Sequence, residues 1–191
     1  MSTLHDLLAA VDADNADDPN QFDGRPLAQA QGQMADAWVT RLDPDAADAV
    51  RIAARAHHLR RWDLPRADYP EGRDGYLRWR RDQKKAHAER LATILAAADP
   101  QLVERAAAIV QKKGLGSDPE VQVFEDAVCL TFIETQFLET ADKLGDDDKM
   151  VEVVAKTLLK MSAAGHEAAA TIALDERSAE IIGRATQQAA D

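Results

Sequence analysis

The sequence predicts an all-α fold in a single domain, and three observations carry this expectation. Hydrophobic residues make up 46% of the 191 residues but aromatic residues only 5%. Alanine dominates the apolar set, and small residues with few β-branched runs favour closely packed helices over sheets. Three Asp-Pro pairs, Asp43-Pro44, Asp99-Pro100 and Asp118-Pro119, precede apolar-periodic stretches. Each joins a good N-cap to the residue best tolerated in a first helical turn. No stretch alternates with period two.

Taken in order, Leu4 to Val11 fits a short amphipathic helix. Asp12 to Arg25 is rich in Asp and Asn, with Asp18-Pro19-Asn20 and Asp23-Gly24, so an irregular loop is expected. Pro26 suits a first turn, and the apolar pattern then runs to Leu42. Asp43-Pro44 starts a helix that continues through Val50, Ala53 and Ala54 to His57 and His58. A loop from about Trp62 to Asp74 holds Pro65, Pro70 and Gly72. Tyr76 to Ala98 reads as a long helix with the stripe Leu77, Leu91, Ile94 and Leu95. Asp99-Pro100 opens a helix to about Lys113, which Gly114 and Gly116 stop. Asp118-Pro119 opens another to about Leu144. Asp146 caps one that ends at Met161, and Asp175 to Gln188 forms the last.

Charge and composition narrow the function. A net charge of −11 disfavours nucleic acid as a general partner. No apolar run reaches the length of a membrane span, so no membrane partner is expected. The N-terminus is acidic and lacks a basic region followed by an apolar run, and the single Cys129 cannot form an internal disulfide. Both favour a cytoplasmic location. Residues 51–90 nevertheless hold 12 of the 23 Lys and Arg against six acids, a net of +6. This basic island is either a local anion site or a surface ion-paired with its acidic neighbours.

The stretch after Pro119 is apolar nearly all round, which marks a central helix, yet it contains Glu125, Asp126 and Glu134. Asp126 shares a face with Leu130, Ile133 and Phe137. A buried carboxylate needs a partner. His57 lies on the inner face of its helix, with His58 beside it, and His87 lies on the stripe of Leu91 and Leu95. These histidines and Asp126 are candidates for one cluster. His5 and His166 have no such context and read as surface residues, and Cys129 reads as core.

The order of these pieces resembles HD-type phosphohydrolases. Arg55-Ala56-His57-His58-Leu59 sits where that family has its His-Asp pair, His87-Ala88-Glu89 is similar to its next helix start, and Glu125-Asp126-Ala127 to its final Asp segment. The resemblance covers residues 26–140 and implies an HD-domain-like bundle of about seven or eight helices, with residues 146–191 packed on it as C-terminal helices. Here His58 replaces the Asp of the pair, and the first helix offers Gln29, Gln31 and Gln33 in place of a histidine. A second and closer resemblance is to a family known only as a domain of unknown function, number 4202. It rests on Asp14 to Asn20, Ala53 to Trp62, Pro65 to Pro70, Gly75 to Arg80, Lys84 to Glu89, Asp118 to Gln122 and Glu125 to Leu130, and it supplies kinship without a reaction.

The chemistry follows from these candidates. His57, His58, His87 and Asp126 could hold one divalent ion, and imidazole with carboxylate suits Fe, Mn or Zn. Glu125 and Asp126 are the catalytic candidates. Arg60, Arg61, Arg66, Arg78, Arg81, Lys84 and Lys85 could neutralise a phosphate, with Trp62 stacking on a base. The expected function is metal-dependent, phosphohydrolase-like action on a small phosphorylated or nucleotide ligand. The alternative is a non-catalytic nucleotide- or RNA-binding or interaction module. No Walker loop, GxGxxG, HExxH or CxxC occurs to decide between them.

Overall fold

Helix α1 (Leu4–Asn15) starts from a capping box in which Thr3 and Asp6 satisfy each other's backbone N–H groups. The computed structural model describes the backbone of residues 2–190 and the side chains of residues 2–189. A two-residue hairpin follows α1, pairing β1 (Gln21–Phe22) with β2 (Arg25–Pro26). Asp23 and Gly24 turn it with φ of 50° and 72°, the pair of positive angles that a tight hairpin turn demands. The sequence reading expected only irregular loop there.

The middle of the molecule is built by α2 (Leu27–Leu42), α3 (Asp48–Arg55), α5 (Pro100–Val110) and α6 (Pro119–Thr135). Helix α2 packs on both α3 and α6, and α3 on α5. The approach of α2 to α3 is close: a Cβ added at Gly32 would stand 2.4 Å from the Arg55 carbonyl oxygen. Arg51 and Arg55 of α3 both bind the buried Asp36 of α2, at 2.8 and 2.6 Å. The long α4 (Gly72–Ile94) lies on α5. Helices α7 (Phe137–Leu144), α8 (Asp147–Leu158), α9 (Ala163–Ala169) and α10 (Glu176–Ala190) complete the chain. Helix α8 packs on α10 and α9 on α6. One connected set of buried apolar residues runs from Leu7 to Ala185.

The fold is all-α, with ten α-helices among the described residues rather than seven or eight, and two single-turn 3-10 helices at Arg61–Asp63 and Arg66–Asp68. Asp99, Asp118 and Asp146 cap their helices as expected, each accepting two backbone N–H bonds. Asp43-Pro44 does not start a helix: Asp43 Oδ1 accepts from the Asp45 N–H in a turn, and α3 begins at Asp48. The expected helix to Leu144 breaks at Gln136 (φ −124°, ψ −4°). The hydroxyls of Thr131 and Thr135 donate to carbonyls one turn back just before the break, and such back-bonding bends helices. Leu77 is 52% exposed and leaves the inner stripe of α4, whereas Leu91 and Leu95 are buried. No helix of the described residues is long and apolar enough to cross a membrane.

Candidate anion-binding site

The site forms where α3 ends. Ala56 leaves helical geometry (φ −97°, ψ 3°) and the chain turns through the next residues. The turn stacks the His57 and His58 rings with centroids 4.2 Å apart. At its end Arg60 adopts φ 48°, a left-handed conformation that redirects the chain. His87 reaches the same region from α4.

Each ring is held by its Nδ1 atom. His57 Nδ1 lies 2.8 Å from the Ala54 carbonyl oxygen, and His87 Nδ1 lies 2.6 Å from that of Leu59. His58 Nδ1 lies 2.7 Å from Gln31 Oε1. Gln31 Nε2 donates to the Thr135 hydroxyl at 3.0 Å, so the glutamine turns its oxygen to His58. A carbonyl oxygen only accepts, so all three imidazoles carry a proton on Nδ1. When neutral, each presents a lone pair at Nε2.

The rings are neutral at pH 7. Burial pushes His57 down to about 3, with His87, Lys112 and Arg61 adding repulsion against its bond to Ala54. Burial lowers His87 to about 4. His58 falls well below the usual histidine range, from burial first and then from His57 and Arg61. Long-range proton–nitrogen NMR at pH 7 is therefore expected to show three neutral, Nδ1-protonated imidazoles. An Nε2-protonated form of His58 would contradict the arrangement.

Arg61 is the cation of the site. Its guanidinium lies over the Trp79 ring, 4.6 Å from the centroid. Burial pushes it down to about 10, with Arg80 contributing repulsion. Among the described residues no carboxylate pairs with it. The surrounding loop is fixed from α4: Trp79 Nε1 donates to the Leu64 carbonyl at 2.9 Å, and Gln83 Nε2 to those of Arg61 and Leu64, both at 2.8 Å. Gln31, His58, Arg61, Trp62, Arg66 and Trp79 line a cleft of about 560 Å³. Asp18 also lines it but accepts from the Ala28 and Asn20 backbones. Glu139 and Lys143 of α7 complete the cleft and pair with each other.

The other sequence candidates divide. Asp126 does not join the histidines. Buried on α6, it turns to α9 and accepts from Ser162 N–H at 2.9 Å, from the Ser162 hydroxyl at 2.5 Å and from Gln122 Nε2 at 3.0 Å. Glu125, equally buried, pairs with Lys112. The expected ligand set of His57, His58, His87 and Asp126 therefore does not form. Among the described residues no three His, Cys, Asp or Glu side chains group to hold a metal ion, so the residues present do not fit the Fe, Mn or Zn centre implied by the HD resemblance.

Among the basic residues, Arg60 turns to Asp63 at 2.8 Å, with Asp17 and Asp14 farther off. Arg78 and Arg81 pair with Asp82, and Lys85 with Glu89, all at the surface. These four follow the ion-paired reading. Arg66 lies in the cleft and donates to the Tyr69 carbonyl at 2.9 Å. Lys84 is half-buried on α4, where burial and Lys112 lower its pKa. Cys129 is core: its thiol is pushed up to about 12 by burial and the charge of Glu125.

Gln83 and Lys112 were not among the site candidates, and Gln31 stood only as one of three glutamines in the place of a histidine. Gln31 had a signal, since it lies four residues from Ala35 and eight from Val39 on a buried stripe. Lys112 had none, because its left-handed turn (φ 59°) follows the end of α5.

No curated protein matches the chain, and no solved structure does. Residues 5–182 match the family model described as Domain of unknown function (DUF4202), and the chain belongs to that family.

Proposed function

We propose that this protein binds a small phosphorylated ligand, of the nucleotide class, in the cleft between α2, the loop after α3 and α7. The observation that carries the reading is Arg61. A sheltered guanidinium without a carboxylate partner calls for an anion, and this one stands beside neutral imidazoles in a space of about 560 Å³. Arg66 adds charge at the wall, and Trp62 offers a ring to a base. The phosphohydrolase reading would need a metal set that these side chains do not make, so binding is the better-supported function.

A thermal-shift screen with nucleoside monophosphates tests it. Wild-type protein is expected to gain stability with ligand concentration, and Arg61→Ala to lose that gain. Arg81→Ala, whose side chain pairs with Asp82 at the surface, is expected to keep it. An equal shift in wild type and Arg61→Ala would place the ligand elsewhere.

A further inference from the structure

We infer that the cleft selects a phosphate monoester or free phosphate by its remaining proton: His58 Nε2 accepts the P–OH hydrogen while Arg61 donates to the other oxygens. This deepens the phosphate reading above and rests on it.

The argument starts from the fixed tautomer. Gln31 Oε1 accepts a hydrogen bond from His58 Nδ1–H, and Thr135 fixes the orientation of Gln31. Among the described residues nothing hydrogen-bonds His58 Nε2, and His58 lines the cleft. That nitrogen is then an acceptor beside a donor, Arg61. An oxyanion without a proton would set its own lone pairs against the Nε2 lone pair. Hydrogen phosphate brings the missing proton at neutral pH and a monoester brings it at and below about pH 6, whereas sulfate and phosphate diesters carry none. The proton is shared between oxygen and nitrogen, and no bond to phosphorus is made or broken.

The charged and titratable groups that face His58 come from several elements. His57 and Arg61 come from its own turn, His87 from α4, and Lys112 from the end of α5, where Glu125 of α6 pairs with it. Gln31 comes from α2. Arg66, Asp18, Glu139 and Lys143 stand on the cleft walls, both acids already bonded.

NMR titration with inorganic phosphate and with sulfate, at matched ionic strength and pH 6.5, tests this. Phosphate is expected to bind at least about tenfold more tightly than sulfate, the cost of leaving one sheltered acceptor unpaired. Affinity for a phosphate monoester, read with methyl phosphate, should also fall between about pH 6 and 7.5 as that ligand loses its one remaining proton, whereas inorganic phosphate keeps a proton throughout. The His58→Gln variant should narrow the preference, because an amide can turn either a donor or an acceptor to the ligand. Sulfate binding as tight as phosphate, or methyl phosphate affinity unchanged with pH, overturns the inference while leaving an anion site in place. Binding of neither anion overturns the phosphate reading itself. The wild-type comparison decides even if the variant fails to fold.

Discussion

Asp126→Ala is expected to destabilise the protein by about 3 kcal/mol and to leave phosphate binding unchanged. The carboxylate is 2% exposed and accepts three hydrogen bonds, two of them from Ser162. Bonds to a charged group are worth more than neutral ones, and removing the acceptor strands buried donors. Ser162 is also the N-cap of α9, its hydroxyl accepting from Gly165 N–H at 3.1 Å. The contact is tight: a Cβ at Gly165 would stand 2.8 Å from the Asp126 carboxyl carbon. Loss of Asp126 should therefore loosen α9 from α6. Urea denaturation would read the stability loss, and a phosphate titration below the transition would read the site. Intact stability with lost binding would return Asp126 to the functional residues.

The need for an Asp126 partner was legible in the sequence, but the partner was not. Its place on a face with Leu130 and Ile133 required burial, and burial required compensation. The histidines were the visible partners, yet Ser162, 36 residues later, supplies the bonds. Nothing in local periodicity encodes which helix end will meet a given face. The same limit separates Arg60 from Arg61. They are neighbours in a basic run, and only the left-handed turn at Arg60 sends one to Asp63 and the other over Trp79.

Caps were legible where a side chain acts on its own backbone, as at Asp99, Asp118 and Asp146. At Asp43 the same chemistry made a turn instead. The inward position of His57 and His87 was legible from spacing. Their tautomers were not, because these depend on carbonyls freed where α3 and its following turn end.

Acid should destabilise this protein well above the pH at which its carboxylates titrate. His57 and His87 have folded pKa values of about 3 and about 4, against about 6.5 in an unfolded chain. His58 is shifted in the same direction. Below pH 6.5 the unfolded chain then binds more protons than the folded one, so stability falls as pH falls. Each histidine adds a slope of about 1.4 kcal/mol per pH unit inside its window. For His87, the window from 6.5 to about 4 amounts to about 3 kcal/mol. Above pH 6.5 the histidines contribute no slope. The depressed carboxylates, Asp118, Asp146, Asp147 and Asp175 among them, have ordinary values of 3.8 and act only at lower pH. Urea midpoints are therefore expected to hold between pH 8 and 7 and to drop steeply between pH 6 and 4.5. Replacing His87 by glutamine, whose amide can still donate to the Leu59 carbonyl, should make that drop shallower. A wild-type midpoint that stays level to pH 5 would mean that the imidazoles can be charged inside the fold, and the lone pair offered to a phosphate proton would then already be occupied.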